Sequence, residues 1–339
     1  MFKIIYKLIL LILGLFVTST LIDELILPWY WGNPQLVSKV EYLQKNEIYP
    51  NTYFIGSSNI FRQIQPTIFD NSTRKSTHSF NLGSDGCFPE HNIYLLDNLL
   101  NSRGEKIKYI FLELNSYDDM DDFRYRTTKS IYSGNLKQYL NRLKYIHSLQ
   151  LDKQKKIYYL KRYTVSYLDN FFKIGMRKDL LTFLYHGNLF GDDMVGENKD
   201  GYLALAGEHT KNRVQRNYIP RGMSELKYYL TNAYGRKSKN EDYNKSHLKL
   251  LNNYIQKLKK RDIQLICLLL PKPFKLENHK SIVGLFEQLP SNHKIDLANP
   301  NKFPLFFIDK YRWDYGHLNN AGSKLFTQAL AEEFNKISY

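Results

Sequence analysis

The strongest constraint in this chain is an alternation. Short apolar runs that stop at small or polar residues are separated by segments with a helical period. Residues 51–55 run into Gly56-Ser57-Ser58, residues 106–114 end at Asn115, and the apolar run 263–270 is stopped by Pro271. Between the first two, residues 90–100 have helical character. Leu248, Leu251, Tyr254, Ile255 and Leu258 share one helix face ahead of the third. Ile295 and Leu297 suggest a further short strand, and residues 322–334 a closing helix. Strands alternating with helices predict an α/β fold whose mostly parallel sheet is covered on both faces. Ligand sites in such sheets lie beyond the carboxyl ends of the strands, and Ser58 and Asn115 both fall there.

A length of 339 residues with 43% hydrophobic content allows one large domain with insertions or two small ones, with a real core. The stretch 117–244 interrupts the alternation. It is rich in Tyr, Lys and Leu, reads as helices to about Leu184, and then passes into a polar loop holding Gly191, Gly196, Gly201 and Gly207. We read it as a cap inserted over the sheet, its tyrosines at helical spacing serving the core rather than stacking on sugars. The net charge of +15 is uneven, with Lys153, Lys155, Lys156, Lys161 and Arg162 in one cluster and Lys257, Lys259, Lys260 and Arg261 in another. Basic surfaces attract polyanions, but no nucleic-acid motif accompanies them. Solvated helix faces account for these charges, and no nucleic-acid partner is expected.

Residues 1–30 read as a membrane anchor and residues 31–339 as the working domain. No charge occurs from Leu8 to Ile22, and adding residues 4–7 gives a helix of about 28 Å against a hydrocarbon core of about 30 Å. Lys3 and Lys7 precede this run, whereas Asp23 and Glu24 follow it. That asymmetry predicts a cytoplasmic N-terminus and an extracytoplasmic main domain. Trp29, Tyr30 and Trp31 read as an interfacial aromatic belt. A cleaved signal peptide is the competing reading, disfavoured because no small-x-small site follows the apolar core. A buried helix of the domain is a third, opposed by the position and the flanking charges.

Two cysteines, Cys87 and Cys267, make no disulfide framework. Cys267 lies in an apolar run and reads as a core thiol, and a Cys87–Cys267 bridge stays open for an extracytoplasmic protein. His78, His91 and the other histidines show no ligand spacing, so no metal and no cofactor is expected.

Chemistry concentrates in two places. Near the C-terminus the chain reads Asp314-Tyr315-Gly316-His317-Leu318-Asn319-Asn320-Ala321-Gly322, and near its start Tyr53-Phe54-Ile55-Gly56-Ser57-Ser58-Asn59. A hydroxyl nucleophile needs a base for its proton and an acid to orient that base. An Asp three residues before a His supplies both from one loop.

These segments resemble the blocks of the SGNH or GDSL-like hydrolases. Gly56-Ser57-Ser58-Asn59 is similar to the nucleophile block, Asn81-Leu82-Gly83 to the glycine block, Glu113-Leu114-Asn115 to the asparagine block, and 314–322 to the final block. The resemblance runs in order from Tyr53 to the C-terminus and leaves the insertion unassigned. It implies a flavodoxin-like three-layer α/β/α fold, with Ser58 as nucleophile, His317 as general base and Asp314 as its orienting acid. The backbone N–H groups of Ser58 and Gly83 and the side-chain amide of Asn115 would form the oxyanion hole. Ser57 stands where many members have Asp, and Glu113 where the asparagine block often has Gly. These departures are similar to envelope-associated branches that include alginate-acetylation and lipoteichoic acid D-alanylation proteins. Glu113 and Asn59 become candidate substrate contacts.

Each residue has a plainer role open to it. Ser57 and Ser58 could cap the following helix, Asn115 and Gly83 could shape turns, and Asp314 and His317 could flank a closing helix starting at Asn319 or Asn320. The joint occurrence favours an esterase or O-acyl(acetyl)transferase acting on an acylated envelope glycan or cell-wall polymer, with a membrane-bound O-acyltransferase as candidate partner. The alternative is a catalytically silent, membrane-anchored glycan-binding or accessory protein of such a system.

Overall fold

Five short strands form one parallel sheet: β1 Thr52–Ile55, β2 Ser79–Asn81, β3 Tyr109–Glu113, β4 Gln264–Leu269 and β5 Lys294–Asp296, in the order β2-β1-β3-β4-β5. Every pairing is parallel, in registers such as Phe54↔Phe111 and Leu268↔Ile295. The computed structural model describes residues 2–21, 28–30, 32–103, 106–115, 127–148, 152–172, 192–205, 213–235, 243–272 and 276–337. Asp23, Glu24, Trp31, Gly191 and Gly207 lie outside the described residues. The described residues contain twelve α-helices: α1 Phe2–Leu21, α2 Pro34–Lys45, α3 Ser58–Gln63, α4 Pro66–Ser72, α5 Pro89–Arg103, α6 Thr128–Tyr132, α7 Leu136–Ser148, α8 Lys153–Phe171, α9 Arg213–Gly235, α10 Lys245–Lys259, α11 Leu276–Glu287 and α12 Asn320–Lys336.

The strands are buried along nearly their whole length, as a parallel sheet covered on both sides requires. Alternate residues serve opposite faces. Phe54, Phe111, Ile266, Leu268 and Ile295 meet Ile60, Phe69, Phe326, Leu330 and Phe334 from α3, α4 and α12. Phe54 stacks on Phe111 at 4.8 Å between ring centres, and Phe69 stands edge-on to both at 5.1 and 5.3 Å. Such pairs add about 0.5–1.5 kcal/mol each beyond area burial. The intervening residues, among them Tyr53, Ile110, Leu265 and Cys267, are equally buried, with α5, α10 and α11 against the sheet. Cys87 and Cys267 are both free buried thiols, and burial pushes Cys267 up to about 12. No bridge joins them.

The chain divides into two compact units, Ser38–Asp119 with Asp192–Tyr339, and Met1–Val37 with Met120–Gly191. The sheet belongs to the first. The segment expected as one insertion is therefore two things. Residues 192–205 return to the sheet unit, where Asp200 accepts from Asn81 N–H at 2.9 Å and its carboxylate takes Thr67 N–H and Oγ1–H. Helix α9, read from sequence as polar loop, packs against α11. In the other unit, α7 and α8 pack through Ile146, Tyr163 and stacked Tyr139 and Tyr167, 4.7 Å apart. There the tyrosines fill the core as expected. Ser19 of α1 donates to Phe171 C=O at 2.7 Å.

Residues Lys3–Leu21 form one helix of mean hydropathy 2.2 that is only 6% buried, long and apolar enough to cross a membrane.

Burial also sets a pH response. His247 on α10 is buried, and desolvation pushes its imidazole down to about 3. The unfolded chain takes up that proton near pH 6.5 while the folded chain refuses it until about 3, so stability falls as pH falls through this window. Between pH 7.5 and 5 the loss from this group is about 2 kcal/mol. Urea unfolding of detergent-solubilised protein at the two pH values should show it, with a smaller loss in His247→Leu; equal losses would contradict the assignment.

Candidate active site

The strand order reverses between β1 and β3, since the chain steps from β1 out to the β2 edge and then crosses to β3. A doubly wound sheet opens a crevice at that point, beyond the strand ends. Ser58 follows β1 and Asn115 follows β3, so the topology puts both at its rim.

The two adjacent serines divide the work. Ser57 is the N-cap of α3, its Oγ accepting from Asn59 N–H at 3.3 Å. Ser58 is the first helical residue, and its Oγ lies 2.8 Å from His317 Nε2. His317 Nδ1 lies 3.0 Å from Asp314 Oδ2 and 3.1 Å from Oδ1, while Asp314 Oδ1 accepts the N–H groups of Gly316 and His317 at 2.6 Å each. With the carboxylate accepting Nδ1–H, Nε2 is left as the acceptor facing Ser58. Burial works to raise the Asp314 carboxyl, but the hydrogen bond and charge of His317 and the two backbone donors outweigh it and hold it below the usual carboxylate range. The His317 and Asp314 side chains keep 26% and 21% of their surface, so the group opens to solvent.

Chain separation is bridged by amides. Gln63, at the end of α3, donates to Gly316 C=O at 3.3 Å and to Asn59 Oδ1 at 2.6 Å. Its own carbonyl accepts from Ser323 Oγ at 2.9 Å and Thr327 Oγ1 at 3.2 Å on α12. Gln65 adds bonds to Thr327 and Ser323. Helix α12 starts as expected at Asn319, whose side chain accepts from Gly322 N–H at 2.9 Å. Asn59 is thus a buried strut, with no face toward a substrate.

Two further expectations need correction. Gly83 N–H donates to Asn81 Oδ1 at 2.8 Å, and a Cβ on Gly83 would sit 2.5 Å from Phe61 N. Its glycine serves close packing on α3, and its N–H is taken. The Gly83 carbonyl accepts from Lys39 Nζ at 2.6 Å; Lys39 is fully buried over the Phe61 ring, and desolvation drives it well below the usual lysine range. Glu113 has no exposed side-chain surface. One carboxylate oxygen accepts Ser57 N–H, and the other takes Ser57 Oγ–H at 2.9 Å and Lys272 Nζ at 2.6 Å. It builds the turn under the serine and does not face a ligand.

Asn115, by contrast, is buried with its Nδ2 bonded to no described residue, and Ser58 N–H is likewise unengaged. Its Oδ1 accepts from Lys272 Nζ. Lys272, two residues past Leu270, escaped the sequence reading. The available signal was a cation directly after an apolar strand at the sheet's carboxyl edge. Among the described residues no cluster of His, Cys, Asp and Glu could hold a metal.

Gly56 is the tightest point beneath the serine, because a Cβ there would lie 2.7 Å from Glu113 Cβ and run into Ile60. Gly56→Ala should lower stability by about 1–3 kcal/mol, read as a lower thermal midpoint; an unchanged midpoint would show the turn has slack.

No protein-family model, no curated protein and no solved structure matches this chain.

Proposed function

We propose that this protein is a membrane-anchored, extracytoplasmic serine esterase or O-acyltransferase of the SGNH type, acting on ester-linked acyl groups of an envelope polysaccharide or cell-wall polymer. The observation that carries this reading is the Ser58–His317–Asp314 alignment, a 2.8 Å contact between residues 259 positions apart continued by a 3.0 Å contact within the Asp314–His317 turn. A helix cap and a turn would not need that alignment. The sheet order, the position of Ser58 past β1 and the Asn115 Nδ2, without a partner among the described residues, also support it. The apolar helix α1, with Lys3 and Lys7 at its start, supports the anchor and the outward-facing domain.

In the proposed reaction Ser58 Oγ attacks the ester carbonyl while its proton passes to His317 Nε2. The carbonyl oxygen becomes an oxyanion that Asn115 Nδ2–H and Ser58 N–H stabilise. The bond to the leaving alkoxide then breaks, and His317 returns the proton to that oxygen, leaving an acyl-Ser58 ester. Water resolves it in hydrolysis and a sugar hydroxyl in transfer, by the same steps in reverse. A membrane-bound O-acyltransferase is a natural neighbour for the transfer route.

Wild type should be labelled at Ser58 by a fluorophosphonate and should cleave an aryl acetate, with Ser58→Ala losing both. Absence of label and turnover in wild type sinks the reading. Asp314→Asn should lower kcat by about 10⁴-fold, since the imidazole would lose its tautomer. The depressed Asp314 carboxyl is lost only as pH falls through a value below about 3.9. The Asp314 carboxyl should therefore stay ionised between about pH 5 and 8, and a carboxyl carbon NMR signal of Asp314 that titrates within that range would contradict the geometry.

A further inference from the structure

We infer that Lys272, held by Glu113, is a positioning residue that fixes the Asn115 side-chain amide with its N–H toward the reacting oxygen. This inference rests on the serine chemistry proposed above and adds the device that aims its oxyanion donor. An amide side chain has two nearly isosteric ends, and only one can donate. Packing alone discriminates poorly between them. An ammonium group discriminates completely, because it donates and cannot accept.

Lys272 Nζ touches three acceptors at once: Asn115 Oδ1, Glu113 Oε1 at 2.6 Å and Ser57 Oγ at 3.1 Å. The Lys272 side chain keeps 10% of its surface and Glu113 none. Since the end of Asn115 that faces the ammonium must be its oxygen, Nδ2 points away from the ion pair. That is the atom with no partner among the described residues, in a side chain 4% exposed. A buried N–H is seldom left unpaired in a folded protein, and an oxyanion forming on the Ser58 adduct would satisfy it. The cation also withdraws charge through the amide carbonyl, which strengthens the opposite N–H as a donor.

The same pair grips the nucleophile's turn. Glu113 Oε2 accepts Ser57 N–H, so one buried ion pair sets both the backbone that presents Ser58 and the amide at the neighbouring strand end. At these two positions the chain places a hydroxyl and a carboxylate, and Lys272 balances the charge of the carboxylate.

Removing Lys272 alone would strand a buried carboxylate, so the test uses the charge-neutral pair Glu113→Gln with Lys272→Met. On an aryl acetate its kcat should fall about 10- to 100-fold with KM within about two-fold, the pattern of a misaimed transition-state donor. Asn115→Ala should cost about 10²- to 10³-fold in kcat. Because Lys272 acts through Asn115 while Glu113 also holds the Ser57 turn, the two losses are compared on the Glu113→Gln background, where the triple variant should be no slower than Glu113→Gln with Asn115→Ala within about two-fold. A product of the two losses, a shift in KM instead of kcat, or an unchanged kcat in the pair variant would overturn the inference. Should the pair variant fail to fold, Asn115→Asp keeps Lys272 partnered and replaces the N–H by an acceptor. Its kcat should drop at least as far as that of Asn115→Ala, and retention of a tenth of wild-type kcat would overturn the inference. A wild type that neither labels nor turns over would instead bring down the serine reading, and this inference with it.

Discussion

The contact between the end of α3 and the start of α12 is the one on which the rest depends. The Gln63 Nε2 and backbone carbonyl and the Gln65 N–H and Nε2 bond Gly316, Ser323, Thr327 and Asn320, in a place from which water is excluded. Hydrogen bonds there are strong because the alternative is an unpaired polar group in low dielectric. They hold the C-terminal loop against the helix that starts at Ser58. Without them the phenylalanine core would still bury its surface, but nothing in apolar packing specifies the position of an imidazole to within a few tenths of an ångström. Hydrophobic burial supplies most of the folding energy here, and amides supply the register of the site.

Much of this was legible in the chain. The three long apolar runs announced β1, β3 and β4, because buried parallel strands need continuous hydrophobicity, and their polar terminators marked the strand ends where Ser58 and Asn115 stand. The Asp-x-x-His spacing and the cap at Asn319 are local features that depend on a few adjacent residues. What was not legible depends on partners far away in sequence. Strand β2 has three residues, too few for a period to register. Glu113 and Asn59 looked like polar residues free for a ligand, yet both are consumed by neighbours, and only the fold reveals that Lys272 arrives beside Glu113 from 159 positions on, or 272 less 113. Gly83 was read as an oxyanion donor, yet its N–H is taken by Asn81 Oδ1, whose position depends on a rotamer that the sequence does not show. Helix α9 and the division of the 117–244 stretch between two units were hidden because polar composition does not distinguish a loop from a helix that packs along one side.

The charged groups beneath the site follow a single pattern in which each is matched to groups of opposite character. Glu113 meets an ammonium, a hydroxyl and an N–H; Asp314 meets an imidazole and two N–H groups; Lys39 meets a carbonyl and an aromatic face. A sheet edge that carries this many charges in so little volume keeps its shape only if every one is answered. Asn115 Nδ2 and Ser58 N–H, which have no partner among the described residues, lie where the strand order reverses.

Asp314 and His317 belong to one tight turn, closed by the Asp314 carboxylate onto the backbone of Gly316 and His317. Imidazole and carboxylate are consequently fixed to each other by contacts within that turn. The geometry between imidazole and carboxylate is therefore local to one turn, whereas the distance from that turn to Ser58 is set by contacts such as Gln63 to Gly316.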